Sequence, residues 1–129
     1  MLYLDTSAAV KLVFAEPESA AMRRWSVGAG DRVLSSDLLR TELLRVTRRV
    51  DPEHLGQARA LLDSLVLLSL SASVCERAAV LEPVMLRSLD ALHMAAALEL
   101  GDDLEGVVTY DRRLGEGARA VGVRVVAPV

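Results

Sequence analysis

Two aspartates stand where predicted buried strands end. Asp5 follows the apolar stretch Leu2-Tyr3-Leu4, and Asp111 comes just after Val107-Val108-Thr109. In an open parallel sheet, ligands bind beyond the carboxyl ends of the strands, so both carboxylates lie where such a fold places its ligands. The simpler interpretation is that Asp5 or Ser7 caps the helix that follows, because aspartate and serine are preferred at that position.

Two further acids lie on predicted helices. Glu42 falls on the apolar stripe of a helix that ends at Val50, so its side chain is predicted to point inward. A carboxylate facing a core is costly unless it is paired or binds a cation. Asp90 lies in the first turn of a helix that is apolar nearly all round. The alternatives are an edge position for Glu42, within reach of water or an arginine, and a favourable interaction of Asp90 with the helix dipole.

Together the four acids predict a cation site. If the first and fourth strands are neighbours, Asp5 and Asp111 meet at one edge, and the helices can bring Glu42 and Asp90 to it. Two unit charges about 4 Å apart repel by roughly 1 kcal/mol in water and about 4 kcal/mol near a protein surface, so such a cluster needs cations. Mg²⁺ and Mn²⁺ take oxygen ligands, and a metal-bound water can attack a phosphodiester.

The acids are positioned by alternating strands and helices. Strands are predicted before Asp5 and at 32–35, 65–70, 106–109 and 123–126. Helices are predicted at 7–15, up to 27, from 36 or 37 to 50, from 51 onward, and at 73–81, 89–100 and 111–121. This alternation predicts parallel βαβ units with right-handed crossovers. The expected fold is one three-layer α/β/α domain over residues 1–129, with a central, mostly parallel five-stranded sheet.

Composition agrees with an α/β fold and restricts the function. Of the 129 residues 52% are hydrophobic but only 3% are aromatic, which favours a core of Leu, Val and Ala. The single cysteine, Cys75, excludes an intramolecular disulfide and is predicted to be a buried thiol. No apolar stretch is long enough to cross a bilayer, so we expect a cytoplasmic protein. The net charge of −3 means that any binding of nucleic acid is local.

These residues resemble the PIN-domain nucleases, and most closely the VapC-type toxins of bacterial toxin–antitoxin pairs. The resemblance spans the chain and rests on Leu4-Asp5-Thr6-Ser7-Ala8, Glu42, Leu89-Asp90-Ala91-Leu92-His93 and Thr109-Tyr110-Asp111-Arg112-Arg113-Leu114. It implies a Mg²⁺- or Mn²⁺-dependent endoribonuclease, a homodimer, and a cognate antitoxin that inhibits it. The implied metal-binding and catalytic residues are Asp5, Glu42, Asp90 and Asp111, supported by the polar residues Thr6, Ser7 and Thr109.

One histidine and two groups of arginines are further candidates for a role at the site. His93 lies three residues after Asp90 and is either an acid, base or supporting group, or a core histidine whose hydrogen bonds are satisfied. Arg112 and Arg113 adjoin Asp111 and are candidates for RNA phosphate contacts. A second arginine group, at 45, 48 and 49, binds phosphates or only forms the solvated side of its helix.

Three other functions compete with an RNA nuclease. A DNA nuclease would use the same acids, since no residue is seen to recognise a 2′-hydroxyl. A catalytically silent PIN-like binding module would lack a carboxylate, and none is missing. A signalling receiver shares an acidic Mg²⁺ pocket but usually needs a lysine near the last strands, whereas the only lysine, Lys11, lies in the first helix.

Overall fold

The computed structural model describes all 129 residues and contains a five-stranded sheet. The strands are β1 (Leu2–Leu4), β2 (Val33–Ser36), β3 (Val66–Leu68), β4 (Gly106–Val108) and β5 (Val125–Val126). They lie in the order β3-β2-β1-β4-β5, and every neighbouring pair is parallel. The predicted parallel α/β architecture is confirmed, and the sheet is parallel throughout.

Seven α-helices connect or flank these strands. They are α1 (Thr6–Val13), α2 (Ser19–Ala29), α3 (Asp37–Val50), α4 (Leu55–Ser64), α5 (Ala72–Ala79), α6 (Ser88–Leu98) and α7 (Arg112–Ala120). None of them is both long enough and apolar enough to cross a membrane.

The central strand β1 shows how the two faces of the sheet are covered. Because side chains alternate along a strand, Leu2 and Leu4 face one side and Tyr3 faces the other. Leu2 and Leu4 pack with buried residues of α1, α2, α3 and α4. Tyr3 packs with buried residues of α5, α6 and α7. The three-layer arrangement therefore follows from the burial of both faces of the sheet.

The strand order reverses between β1 and β4. The chain adds β2 and β3 on one side of β1 and then crosses over to add β4 and β5 on the other. Leu4 pairs with Val108 in this register, so β1 and β4 end at the same level. Their carboxyl ends form the switch point at which open α/β sheets bind ligands.

The two edge strands are shorter than predicted. β3 covers Val66–Leu68 of the predicted 65–70, and β5 covers Val125–Val126 of the predicted 123–126. An edge strand has a hydrogen-bonded neighbour on one side only, so its ladder ends where the chain turns away from that neighbour. Apolar residues beyond the ladder continue to pack without strand pairing.

The prediction of a buried Cys75 thiol is wrong, because Cys75 is exposed. Helix α5 buries Val74 and Ala78, which are four residues apart and share one face. Cys75 lies one residue beyond Val74 and therefore falls outside that narrow face.

Leu43→Ala should lower the free energy of unfolding by about 2–5 kcal/mol, because Leu43 is fully buried and its truncation leaves a cavity. Val27→Ala is the control, since Val27 is 84% exposed and its change should stay within about 0.5 kcal/mol. Urea denaturation followed by circular dichroism measures both. Equal losses for the two variants would contradict the burial of Leu43 in the core.

Candidate active site

The carboxyl ends of β1 and β4 bring Asp5 and Asp111 to one edge of the sheet. Asp5 follows β1 directly, and its backbone N–H donates to Val108 O at 3.1 Å. Asp111 is the N-cap of α7, and Asp90 lies in the first turn of α6. Three of the four predicted acids thus stand at helix N-termini, and Glu42 comes from α3.

Asp5 is buried and engaged by several hydrogen bonds. It is 3% exposed. Its Oδ1 accepts hydrogen bonds from Ala8 N at 3.0 Å and Ser7 Oγ at 2.8 Å, and Thr109 Oγ1 donates to its Oδ2. Burial raises the pKa of Asp5, and these hydrogen bonds offset only part of the rise. The predicted cap of α1 is therefore present, and the same carboxylate lies at the switch point.

Ser7 and Thr109 link the end of β4 to the start of α1. Ser7 Oγ accepts a hydrogen bond from Tyr110 N at 2.9 Å while it donates to Asp5. Thr109 Oγ1 accepts one from Asp111 N at 3.0 Å while it also donates to Asp5. The two hydroxyls fix the position of one aspartate relative to the other.

Glu42 is half-buried and holds its carboxylate against two donors. Its Oε1 accepts from Thr6 Oγ1 at 2.7 Å and lies 2.6 Å from His93 Nε2. Burial favours a higher pKa for Glu42, but the hydrogen bonds from His93 and Thr6 outweigh it and hold the pKa below its usual value. Glu42 is thus paired with a histidine, and the predicted alternative of a neighbouring arginine is not what the structure shows.

His93 is the residue whose role the sequence left open. It is 4% exposed, with Nδ1 2.8 Å from the Tyr3 hydroxyl, which in turn lies 2.7 Å from Ser36 Oγ. With Nε2 donating to Glu42, a neutral imidazole accepts at Nδ1 from Tyr3. Both ring nitrogens are satisfied, as expected of a core histidine, but one partner is a candidate catalytic acid. The three-residue spacing from Asp90 was the only signal, and Tyr3 was missed because it lies inside a strand.

A cavity of about 290 Å³ opens at this edge. It is lined by Glu42, Arg87, Ser88, Leu89, Asp90, Asp111 and Arg113. Both Asp90 and Asp111 line the cavity, and burial and then repulsion from Asp111 raise the pKa of Asp90. Asp5 does not line the cavity. It lies beneath the surface, joined to Asp111 through Thr109.

The four carboxylates do not form a closed cluster as they stand. No three His, Cys, Asp or Glu side chains are grouped closely enough to enclose a metal ion. Three of the acids have partners of their own instead: Asp5 and Asp111 accept from helix N–H groups, and Glu42 accepts from His93. The possible metal ligands around the cavity are carboxylate oxygens, which are hard ligands of the type that Mg²⁺ and Mn²⁺ prefer.

The two arginines next to Asp111 differ in their surroundings. Arg113 lines the acidic cavity, and its positive charge acts on Asp90. Arg112 points into solvent and pairs with Glu116 at 3.0 Å on its own helix. Only Arg113 of this predicted pair is at the cavity.

Comparison with known proteins agrees with this geometry. The PIN domain model matches residues 2–120. Ribonuclease VapC47 of Mycobacterium tuberculosis is 43% identical over 99% of this chain and 97% of its own length, and ribonuclease VapC46 of the same species is 42% identical over 98% and 97%. The crystal structure of M. tuberculosis VapC20, a sarcin–ricin loop cleaving toxin, matches with a TM-score of 0.80 at 18% identity, covering 99% of this chain and 100% of that one. The family model and the full-length relatives show that this chain belongs to the PIN domain family.

Proposed function

We propose that this protein is an endoribonuclease that hydrolyses RNA phosphodiester bonds with Mg²⁺ or Mn²⁺ and acts as the toxin of a toxin–antitoxin pair. The observation that carries the proposal is the acidic cavity at the switch point, where Glu42, Asp90 and Asp111 face one space. The full-length relatives named as ribonucleases support the reaction class.

The residues at the cavity fit a hard divalent cation. We propose as its ligands, directly or through water, Glu42, Asp90 and Asp111, which line the cavity, and Asp5, which lies beneath it. Glu42 keeps a low pKa, so it is ionised at neutral pH, and the repulsion between Asp90 and Asp111 is relieved by a cation. When bound, the ion lowers the pKa of a water molecule and neutralises charge on the phosphate.

The chain's own residues orient the reacting groups. Thr6 and His93 hold Oε1 of Glu42, which leaves Oε2 without a protein hydrogen bond and free to face the cavity. Arg113 brings a guanidinium to the same cavity, where it can contact a phosphate oxygen of the substrate and hold the strand in place.

A phospho-accepting receiver fits the structure less well. That chemistry needs a cation near the phosphorylated aspartate, but Lys11 Nζ pairs with Glu18 at 2.7 Å and lies over the Tyr110 ring. Lys11 is thus committed to an ion pair on the α1–α2 side. A DNA nuclease would use the same cavity, so DNA must be compared with RNA as a substrate.

We further propose a homodimer, a cytoplasmic location and a cognate antitoxin. A toxin that cleaves RNA acts where RNA is translated, and the cell that encodes it needs an inhibitor. VapC20, which shares this fold, is a toxin, and this supports a toxin role for the present chain, from which the antitoxin follows.

Purified protein should cleave RNA only with Mg²⁺ or Mn²⁺, and Asp5→Asn should reduce the rate by at least 100-fold, roughly the range seen when a charge-stabilising group is removed. A gel assay on single-stranded and structured RNA, with and without EDTA, measures this. Asp63→Asn is the control, because Asp63 is exposed on α4. A DNA strand of the same sequence tests the alternative substrate.

Cleavage that survives both EDTA and Asp5→Asn would overturn the metal-dependent mechanism. Faster cleavage of the DNA strand than of the RNA strand would instead show that DNA is the preferred substrate of the same active site.

Tyr3→Phe should weaken Mn²⁺ binding or lower kcat by roughly 10- to 100-fold, because residues that orient a metal ligand have effects of this size. The change removes the hydroxyl that holds His93 and leaves Nδ1 without its 2.8 Å partner. Isothermal titration with Mn²⁺ and steady-state kinetics measure it, and the KM for RNA should stay near the wild-type value.

Tyr110→Phe is the matched control for that change. Its hydroxyl donates to Pro128 O at 2.6 Å and does not contact Glu42 or His93. His93→Gln, whose amide can still donate to Glu42, should retain more Mn²⁺ affinity than His93→Ala. Equal effects of the two tyrosine variants on Mn²⁺ affinity would show that the Tyr3 contact is only structural.

The raised pKa of Asp90 makes metal-free stability depend on pH. The folded-state pKa of Asp90 lies above its value in the unfolded chain, which is near 3.9. At pH values between these two pKa values, the folded chain therefore binds more protons than the unfolded chain. The stabilisation from Asp90 is complete below the unfolded pKa and is lost as the pH rises through the folded pKa. Ionised Asp90 thus destabilises the metal-free protein at neutral pH.

Asp90→Asn should therefore raise the metal-free Tm at pH 7 and flatten its decline above about pH 4. Mn²⁺ at a hundred times its Kd should stabilise wild type by about 2.7 kcal/mol, or several degrees, and Asp90→Asn by clearly less. Thermal melts across pH and Mn²⁺ concentration measure both effects, with Asp63→Asn as control. Equal Mn²⁺ shifts in wild type and Asp90→Asn would remove Asp90 from the site.

A further inference from the structure

Three arginines of α3 form a group that the proposed site does not use. Arg45, Arg48 and Arg49 alone line a cavity of about 410 Å³, and all three are exposed. We call them the arginine cluster. None of them forms an ion pair with a carboxylate, a property they share with the exposed Arg23, Arg24 and Arg124; what distinguishes the cluster is that its three charges lie together on one helix.

The stability of α3 does not explain the cluster. Arg48 and Arg49 lie in the last turn, where a positive charge interacts well with the helix dipole. Arg45 lies outside that turn and gains little from the dipole. It is also four residues from Arg49 and three from Arg48, spacings at which like charges on a helix repel. The arrangement therefore favours the binding of an external anion over the stability of the free protein.

The cluster continues from the candidate active site along the same helix. Arg45 follows Glu42 by three residues and Arg49 follows it by seven, which places them about 4.5 and 10 Å farther along the axis. Seven residues complete nearly two turns, so Glu42 and Arg49 lie on the same side of α3. An RNA strand that leaves the acidic cavity along α3 would pass over the arginine cluster.

We propose that the arginine cluster binds phosphates of the RNA strand on one side of the cleaved bond. This inference rests on the proposed function and adds the path of the substrate. Guanidinium groups bind phosphate oxygens in a bidentate manner, and the cavity has no apolar or acidic lining to favour another ligand. The net charge of −3 gives the rest of the protein no general attraction for RNA, so a local cluster is needed.

The test replaces all three arginines by glutamine. The control variant carries Arg23→Gln, Arg24→Gln and Arg124→Gln, which change the charge equally at exposed positions outside α3. Binding of a labelled single-stranded RNA oligonucleotide is measured in EDTA by fluorescence anisotropy over a range of KCl concentrations. Cleavage kinetics with Mn²⁺ and the oligomeric state of each variant are measured in parallel.

The cluster variant should bind RNA roughly tenfold or more weakly, and its plot of log K against log salt should be shallower by about 2, near 0.7 for each lost phosphate contact. Its KM should rise while kcat at saturating RNA stays near wild type, and the control variant should match wild type. RNA affinity, salt slope and KM that are the same in the cluster and control variants would overturn the proposal.

The remaining outcomes separate this proposal from the proposed function. A cluster variant that loses dimerisation but binds RNA normally would overturn the proposal and assign the surface to a second copy of the chain. Wild type that binds RNA through the cluster but cleaves none would support the cluster and contradict the nuclease. If wild type cleaves RNA and the cluster variant has an unchanged KM, the nuclease function is supported and the role of the cluster is contradicted.

Discussion

The buried carboxylate of Asp5 constrains the surrounding structure more than any other single group. A charged group at 3% exposure is costly unless donors surround it, and here the donors come from two parts of the chain. The Ala8 N–H and the Ser7 hydroxyl belong to α1, while the Thr109 hydroxyl follows β4. These hydrogen bonds to the Asp5 carboxylate can form together only if β1 and β4 are neighbours and α1 starts at their shared edge. These are the conditions that place Asp111 beside it.

The contact between Glu42 and His93 joins the two helical layers. Glu42 comes from α3, which packs on one face of the sheet, and His93 comes from α6, which packs on the other. They meet beyond the carboxyl ends of the strands, where the sheet no longer separates the layers, and His93 Nε2 lies 2.6 Å from Glu42 Oε1. Tyr3 extends this contact into the core, because its ring is buried under α6 and its hydroxyl reaches His93. The position of the Glu42 carboxylate thus depends on core packing as well as on α3.

The sequence predicted the parts of the site that local patterns control. Asp5 and Asp111 were identifiable because each follows an apolar strand, and the inward side of α3 identified Glu42. The partners of Glu42 were not predictable, because Thr6 and His93 are 36 and 51 residues away and meet it only in the folded chain. The exposure of Cys75 was missed for a related reason. Periodicity fixes the direction of a helix face but not its width, and α5 buries only a narrow one.

Helix N-termini explain how the free protein tolerates so many carboxylates at one edge. Asp5 and Asp111 cap α1 and α7, and Asp90 lies in the first turn of α6, so three of the four acids interact with the positive end of a helix. Each such interaction is worth about 0.3–1 kcal/mol, comparable to the repulsion of roughly 1 kcal/mol between two solvated charges 4 Å apart. The capping and cation-binding interpretations of these aspartates are therefore compatible. The caps hold the acids in place in the free protein, and the repulsion that remains at Asp90 favours a cation.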